Sequence, residues 1–305
     1  MKKILVSVLF LFFPMLQYSC TAQEYGTLEI DDKVRAEAPG EFIKLSDGYV
    51  HYEYKDNSEG KVIVLIAGYS VPMYIWDNNF DQLADAGLSV LRFDFYGRGY
   101  SDRPDVRHDH ELFYRQLSEL LTALKVERTV TLVGMSLGGS VAATFADRNP
   151  DKVEKIIFID TEYTSAFEQY PVSYLERLTN LLKDDADNMA EGQLGDLYDP
   201  DRFPGYPDKY RPQMLYKGFF RALASTSIFY YREDFTDEFE RIGKSDMDFL
   251  IIWGKEDNNI PVEISELVME VIPAAELFIV EKAGHIPHYE KPDTVNKKII
   301  EFMKK

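Results

Sequence analysis

One stretch, Thr129 to Asp147, constrains the fold more than any other; it reads TVTLVGMSLGGSVAATFAD. Thr129 to Val133 is a β-branched apolar run, the signature of a buried strand. Leu137 to Asp147 is rich in small and apolar residues, and Ala142, Ala143, Phe145 and Ala146 predict a buried helix. Between the two lies Gly134-Met135-Ser136-Leu137-Gly138. A chain that passes from strand to helix within a couple of residues forces the turn residue into a strained conformation. It also needs bare backbone on either side, and glycines two before and two after Ser136 meet that need. Such a turn places the Ser136 hydroxyl in the open at a helix N-terminus, where backbone N–H groups point outward. The five-residue pattern alone is weak; in a strand–turn–helix context it is strong.

The rest of the chain alternates strands and helices around this unit. Phe42 to Leu45 and Tyr49 to Tyr54 flank the turn signal Ser46-Asp47-Gly48, which predicts a hairpin. Lys61 to Ala67 is a continuous apolar run, expected of a strand buried on both faces. It leads into Gly68-Tyr69-Ser70-Val71-Pro72, a loop. A helix is expected around 77–86, a strand at Leu88 to Phe93, and an amphipathic helix over Glu111 to Leu124. Lys155 to Ile159 is the next strand and ends at Asp160. After Asp160 the aliphatic runs stop, and 161–245 holds five prolines and many Tyr and Phe residues. This segment is expected to form a helical cap, with Tyr174 to Leu182 and Tyr216 to Tyr231 as helices. Its aromatics, Phe167 and Tyr206 among them, either line an apolar pocket or fill the cap's own small core, and most are expected to be structural. The strands resume at Asp248 to Trp253 and Leu277 to Val280, and Asp293 to Met303 is the closing helix. The fold class is therefore α/β: a mostly parallel central sheet with helices on both faces and an inserted helical cap. The core occupies 41–160 and 246–305. Ligand sites in such sheets lie at the carboxyl ends of the strands.

The N-terminus reads as an export signal. Met1-Lys2-Lys3 is positive, Ile4 to Leu16 is apolar, and Gln17 to Ala22 is a polar exit, the tripartite layout of a bacterial secretory signal. The apolar run falls well short of the roughly twenty residues a membrane span needs. Cys20 is the chain's one cysteine, which rules out an intramolecular disulfide, and it falls just after the apolar run. The segment 1–19 is therefore expected to be a lipoprotein-type signal with Cys20 as the lipidated residue, and 20–40 a tether and surface arm. Cleavage after Ala22 is the alternative. The protein is expected in the bacterial envelope, periplasmic or anchored through Cys20, or secreted if cut after Ala22. A net charge of −18 excludes nucleic acid, whose phosphates would be repelled.

A serine hydroxyl needs a base to take its proton and a third group to fix that base. Of the five histidines, only His285 comes directly off a predicted strand. His108-x-His110 has no evident third ligand for a metal, and His288 is expected to pack or hydrogen-bond beside the site. Asp257 follows the strand DFLIIW and gives the chain order Ser, Asp, His, one of those in which this triad occurs. Asp160 is the competing acid.

At this point the chain resembles the α/β-hydrolase superfamily over about 41–305. The segments GMSLGG, DFYGRGYSDRP, WGKEDNNIP and GHIPHYEKP stand in that family's order and spacing. The resemblance implies a Ser136–His285–Asp257 triad and an oxyanion hole made by the backbone N–H groups of Leu137 and Tyr69, with no cofactor or metal. It implies that Asp94, Gly97, Gly99 and Ser101 shape a loop beside the site. One departure stands out: family members usually carry His-Gly where this chain has Ala67-Gly68, so the oxyanion loop must be braced differently. Serine rather than aspartate at the turn disfavours epoxide hydrolase and haloalkane dehalogenase chemistry. The expected activity is hydrolysis of a small or medium apolar carboxylic ester. Carbon–carbon bond hydrolysis, acyl transfer and peracid formation use the same triad and stay open, as does a non-catalytic ligand-binding role.

Overall fold

Strands that are apolar on both faces must be covered on both faces, and this dictates the architecture. The computed structural model describes residues 24–163 and 169–305. The export segment with Cys20, and Phe167 of the cap, lie outside the described residues. The strands are β1 (Glu41–Leu45), β2 (Gly48–Lys55), β3 (Val62–Ile66), β4 (Ser89–Phe93), β5 (Val130–Met135), β6 (Val153–Ile159), β7 (Asp248–Gly254) and β8 (Glu276–Val280). They form one sheet in the order β1-β2-β4-β3-β5-β6-β7-β8. β1 and β2 are antiparallel to each other, β2 is antiparallel to β4, and the pairings from β4 through β8 are parallel. Every residue of β3, β4 and β5 is buried.

The helices are α1 (Asp32–Glu37), α2 (Phe80–Asp85), α3 (His110–Ala123), α4 (Leu137–Arg148), α5 (Leu175–Asp184), α6 (Ala186–Gly192), α7 (Tyr206–Met214), α8 (Phe219–Phe229), α9 (Thr236–Ile242), α10 (Ile264–Val271), α11 (Pro287–Glu290) and α12 (Pro292–Met303). Alternate strand residues feed two cores. Val62, Val64 and Ile66 pack with Leu117 of α3, Phe145 of α4 and Val268 of α10. Ile63 and Leu65 pack with Leu83 of α2 and Ile299 of α12. Burying one such aliphatic side chain contributes about 1.5–3 kcal/mol, so a one-residue slip of β3 would exchange the two faces.

The cap is inserted between β6 and β7. Its centre is α8, where Phe219, Phe220, Leu223, Ala224 and Ile228 are buried. Tyr206 and Tyr210 of α7 and Phe219 of α8 pack in the same core as the sheet, so these aromatics are structural. Helix α9 falls inside the expected cap segment but packs on the sheet: Phe239 stacks on Phe158 of β6 at 4.9 Å. Ahead of β1, the arm is tied to the cap, with Gly26 N donating to Met214 O and Lys217 N to Leu28 O, each at 2.8 Å.

Candidate active site

Ser136 sits between β5 and α4 with φ +53° and ψ −125°, a conformation that L-residues avoid. Neighbouring backbone holds it there: Ser136 N donates to Ile159 O at 3.0 Å, and Ser136 O accepts from Gly139 N at 2.9 Å. A Cβ on Gly134 would collide with the Gly138 backbone, and one on Gly138 with the carbonyls of Ile66 and Ala67. Both glycines are therefore demanded by the close approach of α4 to β3 and β5. Met135 and Leu137 are buried, whereas Ser136 between them is half-exposed.

His285 follows β8 and Asp257 follows β7, so both come off carboxyl ends of parallel strands, as Ser136 does from β5. His285 Nδ1 donates to Asp257 Oδ2 at 2.7 Å. Asp257 Oδ1 accepts from Asn259 N at 2.7 Å and Ile260 N at 3.0 Å. With Nδ1–H donated to Asp257, Nε2 is the ring nitrogen left to act as a base. Burial disfavours the His285 imidazolium, but the Asp257 charge and hydrogen bond outweigh it, and the pKa lies above the ordinary value. Asp160, the competing acid, lies beside this pair, but its Oδ1 accepts from Gly254 N at 2.8 Å. The acid bonded to His285 is Asp257.

Leu137 is the first residue of α4, where a helix leaves its N–H without an intrahelical acceptor. The loop carrying Tyr69 comes close to the turn: a Cβ on Gly68 would lie 3.4 Å from Ser136 Cβ.

The sequence profile of the α/β hydrolase fold matches residues 61–292. The chain belongs to the α/β-hydrolase fold family. A 2-hydroxy-6-oxononadienedioate/2-hydroxy-6-oxononatrienedioate hydrolase of Paraburkholderia xenovorans is 28% identical over 276 residues, covering 86% of this chain and 93% of the relative. Lipase 3 of a Moraxella species is 28% identical over 259 residues, covering 80% of this chain and 78% of that one. An esterase from Exiguobacterium antarcticum superposes with a TM-score of 0.73 at 21% identity, over 87% of this chain and all of that one.

In this α/β hydrolase the loop that carries Tyr69 is held by side chains from two other segments. The fully buried Arg98 donates from Nε to Tyr69 O at 2.8 Å, from Nη1 to Tyr96 O at 3.0 Å and from Nη2 to Thr226 Oγ1 at 2.9 Å. Gln213 of α7 adds a second tie, donating to Ser70 O at 3.0 Å and accepting from Gly99 N at 3.1 Å. The Tyr69 hydroxyl donates to Leu223 O at 3.0 Å and pairs with Ser227 Oγ at 2.7 Å. Arg98, from the loop after β4, and the cap residues Gln213, Leu223, Thr226 and Ser227 together hold this loop. Asp94 organises the adjoining loops: its side chain accepts from Met73 N at 2.7 Å and Tyr100 N at 2.9 Å.

Two further residues hold the histidine loop. Glu290 accepts from Gly284 N at 2.6 Å and from Tyr198 N of the cap at 2.9 Å, and the cap's Asp196 O accepts from His285 N at 2.8 Å. Sequence reasoning missed Arg98, Gln213 and Glu290 as site-positioning residues. The usable signals were that Arg98 lies within GRG and Glu290 within GHIPHYEKP.

His288 is buried against Trp76 with ring centroids 4.3 Å apart, and neither ring nitrogen has a hydrogen-bond partner among the described residues. Burial, followed by the nearby His285, pushes its pKa down to about 3, so it packs as a neutral ring. His108 is buried, whereas His110 contacts Glu111 at 3.0 Å. Among the described residues, the grouping of donor atoms close enough for a metal is Asp160, Asp257 and His285, whose His–Asp hydrogen bond suits proton transfer.

Proposed function

We propose that this α/β hydrolase cleaves a small or medium apolar carboxylic ester through an acyl-enzyme on Ser136. The observation that carries the proposal is that a strained, half-exposed Ser136 and an Asp257-fixed His285 both follow carboxyl ends of parallel strands on one sheet edge. His285 Nε2 takes the Ser136 proton as Oγ attacks the carbonyl carbon. The N–H groups of Leu137 and Tyr69, with the N-terminal dipole of α4, stabilise the oxyanion. His285 then protonates the leaving alkoxide, and water repeats the cycle on the acyl-enzyme. The Moraxella lipase relative supports the choice of ester substrate.

An ester panel of varied acyl length and leaving group, with Ser136→Ala as control, tests this. Loss of Ser136 or His285 is expected to lower turnover by about four to six orders of magnitude. Near-background rates across the panel would sink the ester assignment. The Paraburkholderia relative favours a second substrate class, a 2-hydroxy-6-oxo dienedioate, which belongs in the same panel. We further propose attachment to a bacterial envelope membrane through a lipidated Cys20. Mass spectrometry of the mature N-terminus checks it, and a chain beginning at Gln23 overturns it.

A further inference from the structure

Asp160 is a fully buried acid that the mechanism above does not use. It follows directly on β6 at φ +42°, a strained conformation for a residue with a side chain. Its backbone N–H donates to Ile252 O at 3.0 Å, and its Oδ1 accepts from Gly254 N at 2.8 Å, so its position is fixed from β7. Its Oδ2 is buried with no hydrogen-bond donor facing it among the described residues. One carboxylate oxygen of Asp160, one of Asp257 and a ring nitrogen of His285 all lie within 4.8 Å of one another.

Two buried carboxyl groups this close do not both ionise. The donor inventory decides which keeps the charge. Asp257 receives three hydrogen bonds, from Asn259 N, Ile260 N and His285 Nδ1, whereas Asp160 receives one, from Gly254 N. A carboxylate offers about four acceptor sites, so Asp257 has one left, and Asp160 Oδ2 has no acceptor role to fill. We infer that Asp160 is a positioning residue of the catalytic acid, a neutral carboxylic acid whose Oδ2–H donates the fourth hydrogen bond to the Asp257 carboxylate. The inference rests on the Ser136–His285–Asp257 assignment proposed above. Burial and the Asp257 charge both act to keep the Asp160 proton in place. The other ionisable groups around the pair are His285 from the loop after β8, Glu290 from α11 and Asp196 from the cap. The two acidic neighbours reinforce the same outcome.

The consequence is a limit on the basicity of His285. A donor on Asp257 spreads its negative charge, so Asp257 holds the His285 proton less tightly and the base stays neutral to a lower pH. A structural role alone, stapling β6 to β7 through Gly254, would not touch that pH.

The test is the pH profile of kcat/KM on p-nitrophenyl butyrate for wild type, Asp160→Asn and Asp160→Leu, with Ser136→Ala as the zero. An infrared difference spectrum of wild type minus Asp160→Asn at pH 8 is recorded in parallel. Asparagine keeps the acceptor for Gly254 and a donor for Asp257, so its acidic limb is expected within about 0.2 pH unit of wild type, with kcat up to about tenfold lower. Leucine removes the donor, and the limb is expected to rise by about half to one pH unit. The infrared spectrum is expected to show a protonated-carboxyl band in wild type that Asp160→Asn lacks. A limb that falls by half a pH unit or more in Asp160→Asn would mean that Asp160 carries a charge, and so would the missing band. Either result overturns the inference. If Ser136→Ala stays active, the acyl-enzyme mechanism falls, and the infrared band still decides the state of Asp160 without turnover.

Discussion

The guanidinium of Arg98 donates from Nε to the carbonyl oxygen of Tyr69 at 2.8 Å, the same residue whose N–H is proposed for the oxyanion hole. The same side chain reaches Thr226 of the cap, so cap and oxyanion loop are joined through one cation. Burial lowers the Arg98 pKa to about 10, and it remains charged at neutral pH.

Arg98→Met should therefore free the oxyanion loop. It leaves the Tyr69 and Tyr96 carbonyls without donors, each at a cost of about 1–3 kcal/mol. The expected result is a kcat about 10- to 100-fold lower, because a displaced Tyr69 N–H no longer meets the oxyanion. Stopped-flow acylation of a short ester measures this, and a kcat equal to wild type would show that the loop holds itself.

Activity should fall on the acid side. His285 must be neutral to accept the Ser136 proton, and its pKa is raised because the Asp257 charge and hydrogen bond outweigh burial. The acidic limb of kcat/KM is therefore expected above the ordinary histidine value of about 6.5. Asp257→Asn removes the charge and should lower kcat by about 10³- to 10⁴-fold, while the residual activity shows its limb at lower pH. An unmoved limb would assign it to another group.

The α/β framework was legible because buried parallel strands are spelled as dense apolar runs: VIVLI in β3, TLV in β5, IIFI in β6 and FLIIW in β7. Ser136, Asp257 and His285 stood out as candidates because they follow the apolar segments of β5, β7 and β8, and the structure joins Asp257 to His285. Arg98 was not, since a charged loop residue usually faces water, and its burial depends on Tyr69 and Thr226, distant in sequence. Helix α7 was missed because Pro207 and Pro212 break its pattern, yet Pro207 lies in the first turn, where its absent N–H is not needed. Helix α1 buries none of its residues and so has no apolar periodicity; Asp31 caps it at 2.9 Å, and Arg35 ties it to Asp102 at 2.8 Å.

His51 should make stability fall with rising pH. It is buried between two acceptors, with Nδ1 2.6 Å from Asp94 Oδ2 and Nε2 2.5 Å from Pro39 O. Both contacts need a proton, so the folded ring is an imidazolium. Burial opposes that charge, but Asp94 and the Pro39 carbonyl outweigh it and raise the pKa. A raised pKa means that the stabilisation is complete below the unfolded value, about 6.5, and is lost as pH rises through the folded one. Wild-type Tm should thus drop between pH 6.5 and 9 more than that of His51→Gln. A hydrogen bond to a charged group contributes about 1.5–3 kcal/mol, which bounds the effect. Parallel Tm curves for the two proteins would rule out the charged ring.

Glu162 gives the opposite opportunity, a site where removing an acid should stabilise the fold. It is 3% exposed, its Oε1 has no hydrogen-bond partner among the described residues, and its backbone N–H donates to Ser136 O at 3.2 Å. Burial raises its pKa well above the usual glutamate value. For an acid this sign means that stability is fully present below the unfolded pKa, about 4.3, and declines as pH rises towards the folded one, because the unfolded chain gains from ionising. Glu162→Gln carries no such proton. Its Tm should match wild type at pH 4.5 and exceed it at pH 8, by about 2–4 °C for each kcal/mol relieved. Because Glu162 is bonded to the backbone of Ser136, the proposed nucleophile, kcat should be followed on the same samples. A Glu162→Gln protein no more stable than wild type at pH 8 would mean that the carboxylate finds a compensating partner in the folded enzyme.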